Sequence, residues 1–415
     1  VSCIEYIGSA IFSSGSNVFN PNGLVFVESV TYSCQNIEFP EGWFMFSTYI
    51  ESENTDLVSV LEDLGSNIII VKNNEGEAYL PEWNYNGIGN ISNGQGYSIK
   101  LQEAEDLEIC GTYLLPELNP IILNTGWNTI AYLRLESTNI QMVMESIVET
   151  DNLLIIKDYN GNPYLPAWNY NGIGDMLPGQ GYQLKVNQSD ILEYIPNDQE
   201  YRATTLAVVN NNLKHFKKLP PTGTNMHIVF PQNAWSTYPF SVQEVAAFNQ
   251  KGVLVGATTY SNENSVLTLW GDDETTPSVD GLIIEEGLMF KVWNGYEELP
   301  LEIPKWKEGA NKYEKDALYV VSTLEIGDEV NKLFDATPNP ANSSTSISFR
   351  LVKDAVVNIS VYNTLGELVE VLTNEEYPLG YHALTFNVSS LEPGYYYYSL
   401  NSEVFNESSQ LLIIK

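Results

Sequence analysis

Histidine, cysteine and positive charge are what this 415-residue chain has least of: three His, three Cys, and 19 Lys plus Arg against 53 Asp plus Glu, a formal charge of -34. That balance excludes nucleic acid as a partner, because phosphates are bound by Lys and Arg displacing counterions. It disfavours anionic membrane surfaces for the same reason. No apolar run approaches the roughly 20 residues of a membrane span, so none is expected. His215, His227 and His382 stand in unrelated contexts, and no H-E-x-x-H, G-x-S-x-G, phosphate loop or C-x-x-C occurs. Glycosidase chemistry needs only two carboxylates, and acids abound. None of the segments below is large enough for the deep cleft such enzymes use, so the expectation is a protein that is not an enzyme. The chain starts at Val1, not Met, which is expected to be a processed start with any export signal removed.

What is present is ample for burial: 43 % hydrophobic residues, with 26 Tyr, 15 Phe and 8 Trp. Length suggests three or four domains of about 80 to 130 residues. The acidity is spread along the chain and does not form a tail.

One stretch occurs twice. The first copy runs Tyr79-Leu80-Pro81, Trp83-Asn84-Tyr85-Asn86-Gly87-Ile88-Gly89, then Gly94-Gln95-Gly96-Tyr97. The second runs Tyr164-Leu165-Pro166, Trp168-Asn169-Tyr170-Asn171-Gly172-Ile173-Gly174, then Gly179-Gln180-Gly181-Tyr182. Gly42-Trp43 answers Gly126-Trp127, Ile68 to Lys72 answers Leu153 to Lys157, and Tyr97 to Lys100 answers Tyr182 to Lys185. Two tandem modules follow, 34–115 and 116–198. Each is expected to hold one short amphipathic helix. In the first, Leu57, Val60, Leu61 and Leu64 follow a cap at Asn54-Thr55-Asp56 and stop at Gly65; in the second, Ile140, Val143, Met144 and Ile147 follow Ser137-Thr138.

Two readings of the repeated loop compete. Trp83, Asn84 and Tyr85, with Trp168, Asn169 and Tyr170, supply aromatic faces and amides suited to a sugar ring. Alternatively Trp83 and Trp168 are buried plugs and the Asn side chains cap turns; this structural reading is preferred, since Trp is highly buried on average. Cys34 and Cys110 flank the first module, and a disulfide between them would be worth about 3–5 kcal/mol. Cys3 with Cys34, or three buried thiols, are the alternatives.

Residues 1–33 are expected to form two or three short strands. In 199–326, strands at Thr204–Val209, Met226–Phe230, Glu244–Phe248, Leu254–Tyr260, Ser265–Trp270, Leu288–Trp293 and Leu318–Ser322 predict a β-sandwich. Its loop Trp270 to Gly281 carries Asp272, Asp273, Glu274 and Asp280, the hard oxygen ligands calcium takes. The spacing is not that of an EF-hand, and Asp and Thr also bond their own backbone in turns. Residues 327–337 read as a linker and 338–415 as a second, seven-strand sandwich. The fold class is therefore mainly β and multidomain, two α+β repeat modules followed by two β-sandwiches.

That last segment holds Pro338-Asn339-Pro340, the strand Thr345-Ser346-Ile347-Ser348-Phe349-Arg350-Leu351, Val361-Tyr362-Asn363 with Gly366, Gly380-Tyr381-His382, Leu391-Glu392-Pro393-Gly394-Tyr395 and a final Lys415. In this order and spacing it resembles the type A C-terminal sorting domain of type IX secretion substrates. It departs from the pattern at Glu367, where many members carry a basic residue. The resemblance implies export to the outer surface of a Gram-negative bacterium or beyond, recognition by an outer-membrane translocon, and usually removal of the domain by a sortase. The duplicated module and the W-G-D-D sandwich look like parts that recur upstream of such domains, without an activity attached; there a Cys before the G-W strand and one after the module fit Cys34 and Cys110. Three functional expectations follow: a structural or adhesive surface protein, in the extreme a subunit of an extracellular fibre or sheath that self-associates by strand addition; a glycan binder using the aromatic loops; or an uncleaved cargo held on its translocon.

Overall fold

A computed structural model of the chain describes residues 32–197, 206–235, 242–326, 331–403 and 405–414. The strands expected before Tyr32, together with Cys3, Thr204, Thr205 and Lys415, lie outside the described residues.

The chain is mainly β and multidomain. Each repeat builds the same five-stranded sheet, in the order Gly42–Phe46, Tyr97–Leu101, Ile68–Lys72, Ala78–Leu80, Tyr85–Asn86 in module one and Gly126–Ala131, Gly181–Val186, Leu153–Lys157, Pro163–Leu165, Tyr170–Asn171 in module two. Even the bulge is duplicated, falling between Ile68 and Ile70 and between Leu153 and Ile155. The amphipathic stripes fold as short helices, Leu57–Val60 and Ile140–Val143, whose apolar side packs on the sheet. Asp56 caps the first by accepting from Ser59 N. The second is capped by Asn139, not by the expected Ser137-Thr138, because Asn139 Oδ1 reaches Gln141 N at 3.1 Å. Module one adds a sheet of Tyr32–Phe39, Glu105–Tyr113 and Ile50–Ser52, in which Cys34 lies directly opposite Cys110 and bonds to it. Closing a loop across a separation of 76 residues is worth about 4.5 kcal/mol on the chain-entropy account.

The modules meet across a pseudo-two-fold axis. Ser47 N donates to Gly179 O at 3.0 Å, and the equivalent Ala131 N donates to Gly94 O at 2.9 Å. Phe46 bridges to Gln180 as Ile130 bridges to Gln95. The repeated G-Q-G is the cause. A Cβ on Gly96 would lie 2.6 Å from Ile130 O, and one on Gly181 2.8 Å from Phe46 O, so only glycine lets the two backbones approach.

The third domain is a single seven-stranded sheet curled upon itself. Its order runs Leu254–Thr259, Glu244–Phe248, Met289–Trp293, Glu298–Glu308, Leu318–Ile326, Asn225–Phe230, Ser265–Trp270. The two edge strands close on each other, a Cβ on Gly256 falling 2.1 Å from Thr268 O. Six of the expected strands are present. The seventh is Glu298–Glu308, which Pro300 and Pro304 concealed, since proline cannot donate to a ladder. Residues 206–209 are not a strand; they cross module two's loop, where Val209 N donates to Asn171 O at 2.8 Å.

The last domain has seven strands in two sheets of three and four around its own core. That core includes Leu333 and Ala336, and Lys332–Leu333 pairs with Phe349 and Arg350. The segment read as linker therefore contributes an edge strand, because its apolar Leu333 has a sheet to cover.

Candidate functional site

The aromatic loop is built identically twice. Pro81–Trp83 and Pro166–Trp168 each form one 3₁₀ turn, closed by Asn84 (φ 47°) and Asn169 (φ 54°) in the left-handed region that Asn tolerates. The next Asn fastens the loop: Asn86 Oδ1 accepts from Gly89 N, and Asn171 Oδ1 from Gly174 N, both at 2.9 Å. The amides of Asn86 and Asn171 thus do the turn-capping that the structural reading expected.

The surroundings differ sharply. Tyr170 is only 4 % exposed and packs with Ile155 and Leu165 against Val229, Val266 and Val320 of the third domain. Trp168 is half-buried on the same cluster, with Lys307 Nζ 5.2 Å from its ring and Asn264 Nδ2 donating to its carbonyl at 2.9 Å. Next to it Gly161 O accepts from His227 Nε2 and Thr268 Oγ1. In module one the same side chains are uncovered: Trp83 is 75 % exposed and Tyr85 54 %. Neither tryptophan is the expected buried plug: Trp168 is half-buried on the third domain, Trp83 is exposed, and the ring that is buried is Tyr170.

The four carboxylates of the Trp270 to Gly281 loop do not converge. Asp273 Oδ2 accepts from Trp43 Nε1 and Lys100 Nζ, both at 2.8 Å, while its Oδ1 accepts from Thr275 N and Oγ1. Asp280 accepts from Asp273 N and Thr276 Oγ1, and Asp272 accepts from Asp280 N. The loop spends its oxygens on its own turns and on clasping module one; Glu274 joins no such group. Hydrogen bonds from Lys100, Thr275 and Trp43 hold the Asp273 carboxyl below its ordinary range against the opposing effect of burial. The one group of potential ligands within 4.8 Å among the described residues, Cys34, Glu108 and Cys110, is the disulfide and its neighbour.

Sequence reading missed the far face of both modules. Trp43 carries Lys72 and Lys100 over its ring at 5.2 and 6.0 Å, and Trp127 carries Lys157 and Lys185 at 4.6 and 5.7 Å. One Trp and two Lys at equivalent places in both copies was the available signal. Two of these lysines receive the third domain: Lys100 pairs with Asp273, and Lys157 pairs with Asp316 at 2.8 Å and donates to Asn225 Oδ1.

In the last domain the motif residues make the fold's joints. Asn339 Oδ1 accepts from Leu412 N and its Nδ2 donates to Gln410 O, tying Pro338-Asn339-Pro340 to the final strand. Tyr362 pairs with Tyr397, and the turn at Gly366 (φ 80°) is closed by Asn363, whose amide also donates to Glu367 Oε2. Gly380 (φ 120°) opens the strand of His382, whose Nε2 donates to Pro378 O beside Phe349 and Tyr377. Gly394 (φ 153°) follows Pro393 and starts the strand in which Tyr395 is exposed.

No curated protein matches the chain. Among solved structures, the Bacillus anthracis TIE protein is similar at 8 % identity and a TM-score of 0.13, over 95 % of this chain and 74 % of that one, which is too slight to bear on the fold. No helix of the described residues is long and apolar enough to cross a membrane. Residues 336–415 match the secretion system C-terminal sorting domain, so the chain carries a type IX sorting tail, the signal of a protein sent to the cell surface or the extracellular space.

Proposed function

We propose that this exported chain is a non-catalytic adhesive protein whose contact with its target is the module-one loop, and that the target is a glycan. One observation carries the reading: the same loop is covered by protein in module two and open in module one, where Trp83 and Tyr85 stand in solvent. Trp83 and Tyr85 stand uncovered side by side in one loop, and rings beside amides are the chemistry that stacks on and hydrogen-bonds a sugar. Support for a non-catalytic role comes from the histidines: His215 Nε2 is bound to Glu298 and stacked on Trp293, His227 is buried on Gly161 O, and His382 is turned to Pro378 O. None stands beside a nucleophile that it could activate.

The test is glycan-array binding by the full chain and by Trp83→Ala. Loss of the ring should weaken binding by about 30-fold, the usual scale for an aromatic anchor, with an unchanged melting temperature. Trp168→Ala should do the reverse, destabilising the fold by on the order of 2–4 kcal/mol while glycan binding survives. Binding that is indifferent to Trp83 would end the proposal.

A further inference from the structure

We infer a second binding site, for a small carboxylated sugar, in the cavity where the two modules and the third domain meet. The cavity is of about 220 Å³ and lies on the pseudo-two-fold axis, between the equivalent Trp43 and Trp127 and beneath Trp270. Its two halves derive from the same repeat positions, which makes their differences informative. Lys157, in module two, has its ammonium on Asp316 Oδ1 and Asn225 Oδ1. Lys72 is its module-one counterpart, points at the same cavity and, among the described residues, has no carboxylate and no hydrogen-bond acceptor; it has only the Trp43 ring, 5.2 Å away. Lys315 lines the cavity from the third domain and is likewise without an ion pair among the described residues.

Lys72 is half-buried and Lys315 exposed, and neither ammonium has an ion pair among the described residues, in a chain with 53 acidic and 19 basic residues. Burial lowers the Lys72 pKa, repulsion from Lys315 adds to this, and the charges of Glu274 and Asp273 offset it only in part. Such an arrangement is what a bound anion relieves. The repeat shows which anion: on Lys157 the place is taken by a carboxylate. The wall also holds the amides and hydroxyl of Asn73, Asn74, Ser98 and Gln183, and two carboxylates already engaged, Asp316 by Lys157 and Asp158 by Asn162. The Trp43 and Trp127 rings are already covered by lysines, so the polar side chains hydrogen-bond the body of the ligand and Trp270 is the ring left to lie against it. The volume admits one sugar-sized ring and falls below the roughly 300–1,000 Å³ of larger ligand sites. A hexuronic acid meets all three demands.

Thermal unfolding of the full chain with D-glucuronate, D-glucose or inorganic phosphate tests this. Glucuronate should raise the melting temperature in a concentration-dependent way, as any ligand of the native state does, and glucose and phosphate should not. Lys72→Met should weaken glucuronate binding by about ten- to a hundredfold, the scale of a charge-assisted contact. Lys315→Met, on the exposed side, should weaken it also and serves if Lys72→Met does not fold. An equal shift with glucose or with phosphate, no shift with glucuronate, or a shift unaltered in the lysine variants would overturn the assignment.

Discussion

At the scale of single residues, two buried titrating groups in neighbouring positions pull stability in opposite directions. His227 is fully enclosed beside Lys157, and burial with that charge lowers its pKa to about 3, so it stays neutral and donates to Gly161 O. Its unfolded value is near 6.5. Between those values the unfolded chain binds a proton that the native one refuses, so this contribution is whole above about 6.5 and shrinks as pH falls towards 3. Asp158 is raised to about 6 by burial despite the bonds from Asn162. The native state therefore holds its proton in a range where the unfolded chain has released it. That contribution is whole below about 4 and is lost as pH rises through 6. His227→Gln keeps an N–H donor and removes only the first effect. The difference in melting temperature between variant and parent, followed by calorimetry from pH 7 to 4, should move steadily in the variant's favour. A constant difference would mean that His227 does not titrate on unfolding as described. None of this was legible in the sequence, because the strand Asn225–Phe230 is buried along its whole length and the enclosure of His227 is completed by a turn 66 positions away.

At the scale of elements, the repeat was legible because two copies in one chain expose their own pattern. The helices, three strands of each module and the glycine-rich turns follow from spacing; the short strands Ala78–Leu80 and Tyr85–Asn86, with their counterparts Pro163–Leu165 and Tyr170–Asn171, do not. Two further things hid. The strand Glu298–Glu308 was masked by its prolines, and the fate of the aromatic loop was masked by identity itself. Trp83-Asn84-Tyr85 and Trp168-Asn169-Tyr170 are the same residues, so no local rule distinguishes a covered loop from a bare one; what differs is Val229, Val266 and Val320 arriving from a distant part of the chain. The G-Q-G turns, by contrast, carry a decision the sequence displays without explaining. Gly96→Ala or Gly181→Ala would push a methyl group into Ile130 O or Phe46 O, backbone atoms that cannot step aside. Each should cost about 1–3 kcal/mol, the usual price of overpacking. Gly87→Ala is the control: its new methyl would meet the hydroxyl end of Tyr85, an exposed ring free to swing. Equal losses in denaturant unfolding for all three would show that the inter-module approach is not what fixes those glycines.

At the scale of the whole molecule, the question is how the exported body is joined to its sorting tail. The tail has its own core, drawn only from residues 333 and beyond, so it does not borrow apolar support from the third domain. The joint is polar and centred on Glu297, in the turn before the Glu298–Glu308 strand. Its carboxylate takes Lys332 Nζ at 2.7 Å and Arg350 Nη1 at 2.6 Å, and Tyr296 lies near Phe334 beside it. Arg350 is 2 % exposed, whereas Lys332 remains in solvent, so the two bonds are unequal. The Lys332 pair is screened and weak. Removing the carboxylate from a buried guanidinium costs on the order of 3–5 kcal/mol. Glu297→Ala should therefore lower the tail's unfolding transition and separate it from that of the body in calorimetry. Glu297→Leu with Arg350→Leu should restore most of the loss, since apolar pairs replace buried ion pairs at little cost. Export should continue in Glu297→Ala, because the features by which residues 336–415 match a sorting domain are built inside that domain. If the variant folds and yet stays in the cell, the tail is not an independent address, and the turn at Glu297 belongs to what the secretion machinery reads.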